Sequence, residues 1–430
     1  MSSFALRNIL MCGTVAAIGL AAGQAQAAGF YIQEQSVSGL GSAFSGSTTN
    51  LHDASTIYFN PAGMTNLEGT NANLGVNVLV PNSKVKDNGS TAPLTMALGG
   101  ASGNPYDPTP VPNGYLSYQI NDWWWAGIGV SAPFGLGSDY GETWFGRFDS
   151  TKTELAIIDV QPTMAFQIAP WVSLGVGVNI QHSDADLRNH VNLVGLGLGE
   201  GTSKLTGDDW GVGYSIGMQF KPFEGTTVGL NYKSEVHHKL DGRIEVSTLA
   251  GAPVASQTSN GSAKLNTPDH ATLGVAQKLN ERWTVQGQVS WYGWNNFDHI
   301  AAYRDTGALA SRVEQNYQTT RAYALGAEYI ASDAWTLRGG MQYDATPTTD
   351  EYRSSRTPDG DRTWVSLGAS YKFAPQWSMD MAATYIDVED GVISVNRGAA
   401  NPTTGAGAGT MRAKTEGDVG IIALGLNYKF

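Results

Sequence analysis

Seven histidines are the side chains best able to do chemistry in this chain, and their placement argues against both catalysis and metal binding. His52, His182, His190, His237, His238, His270 and His299 are scattered, and none belongs to a cluster with zinc-ligand spacing. A hydrolase needs a nucleophile, a histidine and an orienting acid within reach of one another. Asp269-His270 is the one adjacent acid–histidine pair, and neighbours on a strand face opposite ways. His237-His238 reads as a solvated pair. Gly195-Leu196-Gly197-Leu198-Gly199 has neither the spacing nor the βαβ setting of a nucleotide loop. Cys12 is the single cysteine, so a thiol site would rest on it alone. The expectation is a protein that is not an enzyme and carries no metal or cofactor.

The elements that must position any site are then the question. The 430 residues are 41% hydrophobic but only 15% charged, with 53 glycines. That charge content is low for a soluble chain of this length. Arg7, the apolar run from Ile9 to Ala22 and Ala25-Gln26-Ala27 have the order of a secretory signal, which makes 1–27 a leader carrying Cys12 away. The leader holds one cation and no acid, so the formal charge of -12 becomes -13 after cleavage. That acidity disfavours a nucleic-acid partner. Beyond the leader there is no apolar run of about eighteen residues, which excludes a helical span. A closed sheet is the other way to satisfy a backbone in lipid.

Alternation supports a sheet. Val172, Leu174, Val176, Val178 and Ile180 interleave with Ser173, Gly175, Gly177, Asn179 and Gln181, and Val212 to Phe220 and Val365 to Phe373 repeat the pattern. The small, polar face is expected to line something wet or open. About fourteen such segments follow residue 70, which predicts an all-β, transmembrane antiparallel β-barrel over 71–430. Short turns such as Asn121-Asp122, Ala169-Pro170 and Ala374-Pro375 alternate with long connections, among them 186–207, as periplasmic turns alternate with outer loops. Trp123, Trp171, Trp283, Trp335 and Trp377 each follow a short turn, like an interfacial belt. Residues 28–70 do not alternate, and are rich in Gly, Ser, Ala and Asn. They form either a hatch in a lumen too wide for wall side chains to fill or a periplasmic tail. Val191, Leu193, Val194, Leu196 and Leu198 place apolar side chains on a predicted outer loop, where they meet either a captured ligand or a neighbouring loop. Pro133-Phe134-Gly135 closes the third segment and is expected to break the wall locally.

Several motifs, in this order, resemble the FadL family of outer-membrane transporters for long-chain fatty acids and other hydrophobic compounds. They are Ala28-Gly29-Phe30, Ser38-Gly39-Leu40-Gly41, Ala43-Phe44-Ser45-Gly46, Asn60-Pro61-Ala62, Trp210-Gly211-Val212-Gly213, Tyr232-Lys233-Ser234-Glu235-Val236 and Pro358-Asp359-Gly360-Asp361-Arg362. The resemblance covers essentially the whole mature chain. It implies a fourteen-stranded barrel in the bacterial outer membrane with an N-terminal hatch in its lumen, marked by Phe30, Asn60, Pro61 and Ala62. It also implies loop capture of a hydrophobic ligand, a pocket beside the hatch, and lateral exit through a third-strand gap at Pro133, Phe134 and Gly135. Arg188 and Arg321 lie near where the family's headgroup contacts fall, although a family lysine position reads Gln318 here. Alternation gives Arg321 the face of Tyr323 and Leu325. Some family members carry neutral aromatic hydrocarbons, which keeps monoaromatic substrates as an alternative, and a general hydrophilic porin is the rival of a different class. The implied partners are outer-membrane lipid, lipopolysaccharide and the barrel-assembly machinery, which reads a C-terminal strand such as the one ending in Tyr428 and Phe430. The chain is expected to be a monomer.

Overall fold

The computed structural model describes residues 29–49, 52–93, 96–396 and 409–430. The predicted leader, and Ala28, Asn50 and Leu51 of the predicted hatch, lie outside them. Eighteen strand segments form one sheet: β1 (Thr70–Asp87), β2 (Thr109–Asn121), β3 (Trp124–Asp139), β4 (Lys152–Ala169), β5 (Val172–Asn192), β6 (Glu200–Phe220), β7 (Thr226–Lys233), β8 (Val236–Thr248) and β9 (Ser259–Thr267). The second half follows as β10 (His270–Lys278), β11 (Trp283–Tyr292), β12 (His299–Arg304), β13 (Leu309–Glu314), β14 (Thr320–Ile330), β15 (Trp335–Asp344), β16 (Arg362–Lys372), β17 (Trp377–Asn396) and β18 (Thr410–Lys429). β7 with β8, β9 with β10, β11 with β12 and β13 with β14 are the halves of interrupted staves, so the closed antiparallel barrel has 14. β1 pairs with β18 from Asn71↔Lys429 to Asp87↔Ala413, which leaves no free edge at the seam.

The lipid-facing rows are those the alternation identified. Leu174, Val176, Val178, Ile216, Val365, Leu367, Ile422 and Leu424 point away from the lumen. The five tryptophans stand exposed at the short-turn end beside Phe166, Tyr329, Tyr371, Tyr428 and Phe430. The inward rows differ from expectation. They meet the hatch rather than open water. Residues 29–49 and 52–66 run inside the barrel as two short helices, Val37–Leu40 and Thr56–Phe59, with 3-10 turns, and their apolar side chains pack on wall residues such as Tyr115, Trp125, Trp364 and Ile386. A methyl group on Gly175 would lie 2.3 Å from Ala62 N, and one on Gly340 2.0 Å from Ser42 O. The small wall residues are therefore the seats of hatch backbone.

Polar wall side chains complete the fit. Gln161 Nε2 donates to Ile57 O (2.8 Å), Gln219 Nε2 to Thr48 O (2.9 Å), Asn77 Nδ2 to Glu34 O (2.7 Å) and Tyr115 OH to Gln35 O (2.8 Å). A short irregular segment inside a barrel needs such donors, because its own ladder satisfies few of its carbonyls.

The outer halves of the strands are longer than alternation indicated. The predicted loop 186–207 is mostly a hairpin, with β5 and β6 paired as far as Asn192↔Glu200 and only seven residues, 193–199, between them. Above the lipid band an outward residue is no longer apolar, as Asp184, Asp186 and Arg188 show, so the strand continues after its periodic signal has stopped. Similarly, Pro133-Phe134-Gly135 does not close β3, which runs on to Asp139.

Candidate functional site

The wall of β3 is irregular on both sides at one level. Its register against β4 slips between Ser131↔Asp159 and Phe134↔Ile157, so Ala132 and Pro133 together oppose Ile158 alone, a bulge. On its other side β2 stops pairing at Gly114↔Val130. The hatch takes the freed edge: Ile32 N donates to Pro133 O (2.8 Å), Gly135 N donates to Phe30 O (2.9 Å), and Tyr31 faces Phe134. Gln35 grips the bulge itself. Its Nε2 donates to Ala132 O (2.8 Å) and its Oε1 accepts from Ala132 N (3.1 Å). In this conformation a hatch segment fills the freed edge of β3.

The second irregularity faces the first across the lumen. All four interrupted staves break at one level, between residues 233 and 236, 267 and 270, 292 and 299, and 314 and 320. Pro268 lacks a ladder donor, and the Gly293–Asp298 connection turns Trp294 and Phe297 inward, where both are buried. Their rings meet Phe30 edge-on at 4.7 and 5.2 Å, and Tyr317 packs on both. Phe30 therefore sits between this aromatic shelf and Phe134, 5.8 Å away.

Above the shelf lies an apolar chamber of about 720 Å³, measured to its open mouth. Phe30 and Phe297 line its base, and Leu136, Leu155, Leu187, Leu205, Leu240 and Leu265 line its sides. A second chamber of about 860 Å³ adjoins it, lined by Val191, Leu193, Ile244, Val246 and Val313. The two share Leu187, Leu205, Ile300 and Arg356. Arg356 is mostly buried at this junction. Its guanidinium donates to Thr153 Oγ1 (3.1 Å), Ser150 Oγ (3.3 Å), and the carbonyls of Lys152 (3.3 Å) and Arg188 (3.4 Å).

The sequence-selected residues divide accordingly. Val191 and Leu193 line the second chamber. Val194, Leu196 and Leu198 stand exposed on the hairpin tip. Arg188 and Arg321 are not brought to either chamber: Arg188 pairs with Asp186 on its own strand (2.6 Å), and Arg321 lies exposed on the outer face opposite Trp291. Phe30, Phe134, Pro133 and Gly135 meet as described, while Asn60, Pro61 and Ala62 form the lower hatch. There Asn60 Nδ2 donates to Thr48 O (2.8 Å) and Met218 O (3.0 Å), and its Oδ1 accepts from Ala62 N (3.2 Å). Arg356 and Gln35 were missed. Each sits beside a motif already singled out, but neither residue type carries a periodic signal.

The histidines find local partners. His270 turns inward onto Tyr31 while Asp269 accepts from Tyr232 OH on the other face, and His190 touches Glu142 (2.6 Å) and Glu200 (2.5 Å). Among the described residues, three potential metal ligands nowhere converge.

A closed barrel with an aromatic girdle, an internal hatch and apolar chambers beside it is the architecture of an outer-membrane transporter of hydrophobic compounds. The chain belongs to the family described as outer membrane protein transport protein (OMPP1/FadL/TodX), which matches residues 18–430, and it resides in the bacterial outer membrane. It is 26% identical over 448 residues to the long-chain fatty acid transport protein of Escherichia coli O6:H1, covering 96% of this chain and 97% of that one. In fold it resembles a FadL homologue from Pseudomonas aeruginosa (TM-score 0.86, 24% identity, 94% of this chain and 100% of that one). It also resembles the toluene transporter TodX of P. putida (TM-score 0.64, 17% identity, 88% and 94%).

Proposed function

We propose that this protein takes up long-chain fatty acids passively, by capture at the outer chamber, binding in the inner one and lateral exit at the β3 bulge. The observation that carries the reading is Arg356 at the junction of two apolar chambers. An acyl chain filling either chamber gains about 0.8 kcal/mol per buried CH₂, which needs no energy source. A carboxylate at the junction would meet the Arg356 guanidinium, and charge-assisted bonds are the stronger kind. Phe30 separates the inner chamber from the β2–β3 gap, so withdrawal of residues 30–32 from β3 connects the two. The resemblance to the E. coli protein supports the same substrate class.

Binding of oleate and of methyl oleate to the purified protein tests this. Arg356→Gln should weaken oleate by about tenfold or more and leave the ester within about twofold, since a hydrogen bond to a charged group contributes about 1.5–3 kcal/mol. Equal loss for acid and ester, or tighter binding of toluene than of oleate by the native protein, would overturn the fatty-acid reading and favour neutral hydrocarbons.

A further inference from the structure

The inner chamber carries a buried polar side chain that its surroundings leave unmet. Gln315 lines the chamber and is only 2% exposed, and among the described residues no donor or acceptor reaches its side-chain amide. The chamber's other polar residues are committed elsewhere. Thr153 Oγ1 accepts from Arg356 (3.1 Å), and Thr357 Oγ1 accepts from Tyr317 OH (2.9 Å). Thr206, opposite Asp186, and Lys264, opposite Lys239, belong to the outward rows of their strands. Gln315 is fixed by its backbone, in the connection between β13 and β14. The amides of Gln315 and Asn316 both donate to Asp298 O (2.7 and 2.9 Å), and Tyr317 N donates to Phe297 O (3.2 Å). Asn316 has a φ of 43°, in the left-handed region that asparagine enters more readily than most residues. This turn ties Gln315 to the connection that carries Phe297, and Phe297 lines the same chamber.

The chemistry of an amide narrows what belongs beside it. It presents two N–H donors and a carbonyl acceptor. Hydrocarbon packed against it strips away water and answers neither, which weakens binding. The leucines of the chamber nevertheless call for hydrocarbon. A carboxylate answers only the donors, and Arg356 in the same chamber offers it a charged partner. A hydroxyl both donates and accepts, so it matches the whole amide. The molecule that satisfies leucines, guanidinium and amide together is an acyl chain with a carboxylate and a hydroxyl.

We infer that Gln315 makes the inner chamber selective for hydroxylated long-chain fatty acids, with the chain hydroxyl on its amide and the carboxylate on Arg356. The carboxylate half rests on the fatty-acid reading above; the hydroxyl half does not. Calorimetric titration of the purified full chain in neutral detergent tests it. The ligands are stearate and hydroxystearates bearing the hydroxyl near the head, at mid-chain or near the tail. At one of these positions the native protein should bind the hydroxylated acid about tenfold tighter than stearate, the worth of one neutral hydrogen bond. Gln315→Leu should remove that advantage and bind stearate at least as well as the native chain, because it deletes the amide that hydrocarbon leaves unmet. If no hydroxystearate outbinds stearate in the native protein, the inference is overturned without any variant. It is equally overturned if Gln315→Leu weakens stearate and its hydroxylated forms alike, since the amide then serves the carboxylate. The same series as methyl esters separates the two readings. A hydroxyl advantage that the esters retain supports Gln315, even where acid and ester bind equally and the role of Arg356 fails.

Discussion

Glu34 is fully buried in the hatch. Burial raises its pKa from the usual 4.5 to about 7, against the pull of the Glu34 and Gln33 backbone N–H groups and of Arg362, with Tyr31 and Asp344 as the other titratable neighbours. An acid whose folded pKa lies above its unfolded one holds its proton longer in the fold. It therefore destabilises the fold as pH rises from about 4.5 to 7, by about 3 kcal/mol in total. Glu34→Gln should match the native protein in thermal unfolding at pH 5 and exceed it at pH 8. An equal difference at both pH values would show that ionisation is not the cause. The headgroup partner is less legible in the sequence: the family resemblance points to Arg188 and Arg321, neither of which reaches a chamber. Alternation did place Arg321 outward, with Tyr323 and Leu325, where it is found. Arg356 reaches the chambers from a non-periodic segment between β15 and β16, so its position depends on tertiary packing alone.

At the scale of elements, the wall was legible wherever one face meets lipid, and it ceased to be legible above that band. Val172 to Ile180 give both their strand and its orientation, whereas Asp184 to Asn192 continue the same strand with no periodic signal. The Pro133–Gly135 break was visible as chemistry, since proline removes a donor. The hatch segment that fills it was not, because Phe30 to Ile32 pair across a gap that only the closed barrel creates. That pairing can be locked. Tyr31 and Phe134 face each other between the flanking Ile32 N to Pro133 O and Gly135 N to Phe30 O bonds. This is the closer type of antiparallel pair, with Cα atoms about 4.5 Å apart, within the reach of a disulfide. The only native cysteine is Cys12, in the predicted leader. Tyr31→Cys with Phe134→Cys should therefore oxidise cleanly and abolish fatty-acid uptake into proteoliposomes, with a reductant restoring it. Uptake that persists after the bond has formed would remove the β3 gap from the route.

Across the whole molecule, wall and hatch are folded by different physics. The wall is a continuous ladder closed by β1 and β18, with its apolar rows turned to lipid. The hatch is fixed by close approach to small wall residues and by donors such as Gln161, Gln219 and Asn77. The sequence showed the glycines and polar residues of the lumen face as one row, and their meaning changed from lining water to receiving backbone. Two consequences follow from this division. Deletion of residues 29–66 removes no rung between neighbouring wall strands, so the barrel should still assemble, with native strand content by circular dichroism and retained heat-modifiable mobility. The vacated lumen would then expose Gln161, Asn179, Gln219 and Gln288, side chains that hydrate readily, along a bore too wide for wall residues to fill. The deleted protein should conduct ions steadily in planar bilayers, like a porin, while the full chain under the same conditions stays closed. Equal steady conductance from both would mean that the hatch leaves an aqueous path, and it would favour a general porin over a carrier of hydrophobic molecules.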